Sequence, residues 1–123
     1  MHPAIGDLIS LLFYDGKVQN GVNEAERTTG IPMLNGRAIT WLTTSNSGTE
    51  RFEQPVGSQH GYVNHLEVTV IQRCLQKLNQ EIAGLGETYS IGIITPYRAQ
   101  LELIRNRLKQ TPLSHIEVDI NTV

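Results

Sequence analysis

Seven residues, Tyr89-Ser90-Ile91-Gly92-Ile93-Ile94-Thr95, form an apolar, β-prone run that passes through Pro96 into a segment carrying Tyr97, Leu101, Ile104 and Leu108 on one helical face. A chain that turns from strand to helix within two residues is committed to layering one against the other. The pattern recurs along the chain. Residues 3–14 carry Ile5, Leu8, Ile9, Leu12 and Phe13 at spacings of three and four, with Pro3 tolerated in a first helical turn and Asp15-Gly16 closing the segment. Residues 38–43, AITWLT, read as a short strand buried on both faces. Asn64-His65-Leu66-Glu67 resembles a capping box, and behind it Ile71, Leu75, Leu78 and Ile82 repeat at helical spacing as far as Gly84-Leu85-Gly86. Thr111-Pro112 ends the helix after Pro96, and residues 116–120 alternate apolar and acidic side chains as a last strand. The order helix, strand, helix, strand, helix, strand predicts an α/β domain with a mainly parallel sheet flanked by helices and right-handed crossovers. Residues 15–36 and 44–63 read as two long polar loops, the first with a short strand near Val18; loops of that length are unusual in a compact domain unless they carry a function.

Composition narrows the class. A length of 123 residues allows one domain, and 39% hydrophobic with 18% charged residues excludes a disordered chain. No apolar run reaches a membrane span, and Met1-His2-Pro3-Ala4 lacks the basic start of a signal peptide. A lone Cys74 fits a reducing cytoplasm, where the protein is expected to reside, and its place on an apolar helical face suits a core thiol. A net charge of −2 gives no global sign of nucleic-acid binding, so any such site is local.

The local candidate is the junction Thr95-Pro96-Tyr97-Arg98-Ala99-Gln100. Thr95 is a good N-cap and Pro96 suits a first helical position, which leaves unpaired N–H groups at the carboxyl end of a strand. A phosphate there could accept bonds from the Thr95 hydroxyl and from the N–H of Tyr97 or Arg98, with Arg98 and Gln100 adding side-chain contacts. The alternative is that Thr95 and Pro96 only cap a helix. Arg98, Arg105, Arg107 and Lys109 face the single acid Glu102 in this segment, as a sugar–phosphate track or simply as a solvated helix face. Elsewhere the signals are structural. His2, His60, His65 and His115 lack zinc spacing, Trp41 reads as core packing, and Glu24 and Glu26 read as surface charges. No Walker-type loop, G-x-G-x-x-G or G-x-S-x-G occurs.

Taken in order, Met1-His2-Pro3-Ala4-Ile5, Leu11-Leu12-Phe13-Tyr14-Asp15-Gly16, the pair Asn64 and Glu67, Ile93-Ile94-Thr95-Pro96-Tyr97 with Gln100, and residues 116–123 form a set similar to the second RecA-like domain of superfamily 1 helicases. The resemblance is to the branch containing the RNA helicases of nonsense-mediated decay and related DNA helicases. It implies a partial RecA-like domain of P-loop NTPase type, with the first RecA-like domain as partner across an ATP cleft. ATP and Mg²⁺ are then cofactors of the full-length parent, and none is expected on this stretch alone. By the same resemblance Thr95, Pro96, Tyr97 and Gln100 lie near a bound single strand, DNA favoured over RNA, and Met1, His2 and Pro3 lie at the interdomain, ATP-cleft-adjacent hinge. The family's Q-Y-R precedes Met1, and its Q-G-x-E and later arginine motif follow Val123. Both γ-phosphate arginines are therefore expected outside the chain, which alone should neither hydrolyse ATP nor unwind a duplex. The rival expectation is a non-enzymatic interaction domain, with exposed sheet edges inviting self-association and no membrane partner.

Overall fold

The computed structural model describes residues 1–57 and 61–123. His60 therefore lies outside the described residues. The chain divides into two compact units, Met1–Leu42 and Thr43–Val123.

The first unit holds helix α1, Pro3–Phe13, with Pro3 at its first position. His2 is the N-cap, its Nδ1 accepting the Ala4 N–H at 3.2 Å. The strand expected near Val18 is replaced by a side-chain clamp: the buried Ser10 hydroxyl donates to the Val18 carbonyl (2.8 Å) and accepts the Val18 N–H (3.0 Å). Asparagine and glycine turns follow, with a short 3₁₀ turn at Pro32–Leu34. The strand expected over residues 38–43 does not form. No described residue pairs with it, and Ile39, Trp41 and Leu42 are exposed, Trp41 by 88%. A β-prone composition without a neighbouring ladder leaves an extended segment, so the core role expected for Trp41 fails with the strand.

The second unit carries the α/β layer. A 3₁₀ turn at Gly48–Arg51 leads to two very short antiparallel strands, β1 (Gln54–Pro55) and β2 (Tyr62–Val63), inside the run expected to be loop. Helix α2 (His65–Leu85), strand β3 (Tyr89–Thr95), helix α3 (Arg98–Leu108) and strand β4 (Ile116–Thr122) complete it. β3 and β4 run parallel in register from Tyr89 opposite Ile116 to Thr95 opposite Thr122, with α3 as the connection. This βαβ unit is the α/β arrangement the sequence order predicts.

The core lies where α2 and α3 meet one face of the strand pair: Val68, Leu101, Ile104 and Ile120, with Ile71, Ile93, Leu103, Leu108 and Val118 packed around them. Within this unit and among the described residues, the other face is left open. Ser90, Gly92 and Ile94 alternate outward on β3, and Glu117, Asp119 and Asn121 do so on β4, so the expected buried strand is half-covered and Ile94 is 74% exposed. At the start of β3 a hydrogen bond to the Glu87 carboxylate raises the Tyr89 phenol above its ordinary range, helped by burial and by the Glu87 charge. α2 stops at Gly86, whose φ of 70° is the left-handed cap conformation.

A candidate nucleic-acid interface at the end of strand β3

The ends of four elements converge at one place: β2, the start of α2, the end of β3 and the start of α3. What joins them is an amide bridge. Gln100 is buried; its Oε1 accepts the Asn64 N–H at 2.8 Å, and its Nε2 donates to the Asn64 carbonyl at 3.3 Å and to Glu67 Oε2 at 3.2 Å. Asn64 uses its side chain as well. Oδ1 accepts the Glu67 N–H (3.0 Å), capping α2, and Nδ2 donates to the Arg51 carbonyl (2.9 Å). Half of the expected capping box is thus realised. The other half, Glu67 reaching back to the Asn64 N–H, is taken over by Gln100. Gln100 is available because α3 has no side-chain cap of its own: Tyr97 holds the N-cap position and makes no such bond.

Thr95 is therefore not the cap expected from the sequence. It remains in the ladder opposite Thr122, Pro96 makes a bend, and the helix begins two residues later at Arg98. The Thr95 residue is only 6% exposed, and its hydroxyl makes no hydrogen bond to another described residue, although it is not one of the fully buried orphan atoms. It lines an opening of about 170 Å³ shared with Glu53, Tyr62, Val63, Asn64, Glu67, Pro96, Tyr97 and Gln100. The Tyr62 and Tyr97 rings stand at its side, centroids 5.3 Å apart and planes tilted by 53°. Gly61 lets β2 come this close, since a Cβ there would stand 3.3 Å from the Ala99 Cβ.

The basic residues of α3 do not form one free stripe. Arg105 pairs with Glu102 (3.1 Å) and donates to the Ile120 carbonyl (3.2 Å), Arg107 donates to Gln72 (3.4 Å), and Lys109 donates to Asn106 (3.2 Å). Arg98 alone of the four is exposed without an ion pair or hydrogen-bond partner among the described residues. It sits in the first turn, where three helical N–H groups have no intrahelical acceptor.

The structure brings Thr95, Pro96, Tyr97 and Gln100 to one opening and sets Arg98 next to it in the chain. Met1, His2 and Pro3 belong to the other unit. There His2 lines a pocket of about 160 Å³ with Arg27, Thr28, Leu34 and Arg37, and its buried Nε2, without a hydrogen bond among the described residues, lies 3.9 Å from the Glu24 carboxylate. Sequence reasoning missed Glu53 and Tyr62, which lie in a run read as loop. For Glu67 and Gln100 a signal existed: each is the third residue of an amphipathic helix, the position from which a polar side chain reaches past its own helix end.

A family model described as an AAA domain matches residues 1–123. The chain belongs to the AAA_12 family of AAA domains. Within it the chain is similar to the 5'-3' DNA helicase ZGRF1 of Mus musculus, 33% identical over 121 residues, covering 95% of this chain and 6% of the relative. It is also similar to Regulator of nonsense transcripts 1 of Caenorhabditis elegans, 34% identical over 111 residues, covering 86% of this chain and 10% of the relative. Helicase sen1 of Schizosaccharomyces pombe is 30% identical over 109 residues, covering 89% of this chain and 6% of the relative. The chain thus spans a tenth or less of the length of these curated relatives. Family and relatives agree on a stretch of the superfamily 1 helicase type, with a P-loop helicase-type α/β fold. No solved structure matches the chain.

Proposed function

We propose that this chain is part of the second RecA-like domain of an ATP-dependent helicase, and that it contributes a stretch of the single-strand track. The observation that carries the reading is the end of β3: a Thr95 hydroxyl and an Arg98 guanidinium without hydrogen-bond partners among the described residues, beside an α3 start without a side-chain cap. The uncapped start of α3 and the exposed Arg98 guanidinium suit a phosphate backbone, which gives affinity without sequence choice. Gln100, spent on Asn64 and Glu67, positions this edge and does not touch the strand.

ATP and Mg²⁺ belong to the full-length parent. Among the described residues no group of His, Cys, Asp and Glu side chains is arranged to hold a metal ion, and no Walker loop occurs in the chain, so no chemical step is assigned to these residues. Met1, His2 and Pro3 fall to the hinge facing the first RecA-like domain, and a cytoplasmic location suits the free Cys74. One relative bears the name of a DNA helicase and another that of a regulator of nonsense transcripts. We take DNA as the strand.

The test is anisotropy of a labelled single strand, DNA and RNA in parallel, over a salt series. Arg98→Glu should weaken binding and lower the slope of log affinity against log salt by about one phosphate contact, whereas Arg107→Glu should change both less. Equal effects of the two substitutions remove the site, and tighter RNA binding overturns the DNA assignment. A second reading, self-association, rests on the uncovered face and edges of the β3–β4 pair.

A further inference from the structure

We propose that the opening at Thr95 receives a nucleobase carrying an amino group, while the phosphate stays outside on Arg98; this rests on the reading of the site as a single-strand track. The charges that line the opening decide against a phosphate inside it. Glu53 and Glu67 both contribute, and among the described residues no lysine, arginine or histidine does. An anion entering there meets two carboxylates, whereas a hydrogen-bond donor meets acceptors. Gln100 occupies Glu67 Oε2, and no bond to Oε1 exists among the described residues.

Three further observations specify the donor. The tilted Tyr62 and Tyr97 rings border the opening and offer an apolar edge to a flat ligand. The volume of about 170 Å³ is well below that of sites for drug-sized ligands, roughly 300–1,000 Å³, which suits one base and not a whole nucleotide. The hydroxyl of Thr95, a residue 6% exposed that lines the opening, is unpartnered among the described residues and supplies a donor beside the carboxylate acceptors. Cytosine and adenine present the complementary edge, an exocyclic amine next to a ring acceptor; thymine and uracil have no exocyclic amine, and their one ring N–H is flanked by carbonyls that the carboxylates repel. A cationic peptide would also satisfy Glu53 and Glu67, but it would be repelled by Arg98, next to Tyr97 and without an acidic partner among the described residues. Cation outside and acceptors inside match a nucleotide, with phosphate outside and amine inside.

The experiment measures anisotropy of labelled oligo-dC, oligo-dA and oligo-dT of equal length on the full chain. Oligo-dC and oligo-dA should bind about fivefold or more tighter than oligo-dT. Arg98→Glu should weaken all three and keep their ratio. Glu53→Gln, which adds a donor that can face a thymine carbonyl, should narrow the ratio, as should Tyr62→Leu. Equal binding of all three oligomers by the unchanged protein overturns the base site and leaves the single-strand reading intact. Loss of binding to every oligomer overturns both. An arginine-rich peptide that displaces oligo-dC and is itself released by Glu53→Gln overturns the base site in favour of a protein ligand.

Discussion

Gln100 shows how one side chain in the wall of a site can set the geometry of the rest of it. Its amide satisfies both main-chain groups of Asn64 and holds the Glu67 carboxylate, so the starts of α2 and α3 are fixed to each other across 36 residues of sequence. Gln100→Leu keeps the volume and removes every bond, leaving the buried Asn64 N–H unsatisfied, while the Asn64 carbonyl keeps the Val68 N–H at 3.2 Å. We expect a loss of about 1–3 kcal/mol for that orphaned group, read as a lower urea midpoint at unchanged slope. An unshifted midpoint would mean that the bridge is open in solution. Single-strand affinity should fall as well, because the Thr95–Tyr97 edge loses its support. The Gln100 partnership could not be read from spacing alone. The P-Y-x-x-Q pattern marks Gln100 as notable, but its partner lies on another helix and no local rule reaches that far.

Among the elements, those whose ends carry their own punctuation were readable and those that need a distant neighbour were not. α2 has Asn64 at one end and Gly86 at the other, and β3, α3 and β4 follow from apolar periods broken by Pro96 and Pro112. Residues 38–43 have the composition of a strand but no partner among the described residues, while β1 and β2 are too short to leave a periodic trace. Hence Glu53 and Tyr62, which give the opening its charge and one of its rings, were invisible, although Thr95 and Tyr97 were not. The end of α2 offers a test in which two neighbouring glycines respond with opposite signs. Gly84 lies within the helix with open space around it, so Gly84→Ala should stabilise by about 0.5–1 kcal/mol. Gly86 has a φ of 70°, so Gly86→Ala should destabilise by about 1–2 kcal/mol. Thermal melts of the two variants check this, and a shift of the same sign in both would contradict the left-handed cap.

At the scale of the whole molecule, what is uncovered matters as much as what is packed. In Thr43–Val123 the outer face of β3 and β4 lies open with Ile94 on it, and a two-stranded sheet has only edges to offer. In Met1–Leu42 a different apolar surface is open, including Leu11, Phe13 and Trp41. Either could drive association, and Trp41 distinguishes them because the chain has a single tryptophan and it is 88% exposed. The dilute protein should show solvent-exposed tryptophan emission, readily quenched by iodide. We expect light-scattering mass to rise with concentration, since unpaired strand edges template pairing, while the emission of Trp41 stays constant because the edges lie in the other unit. Adding a charge with Ile94→Lys on the open face should then lower the association. If emission instead shifts to the blue in step with mass, the contact runs through the apolar surface of the first unit, and the sheet edge is not its route. A mass of one chain at all concentrations would remove self-association and leave the single-strand track as the one function these surfaces serve.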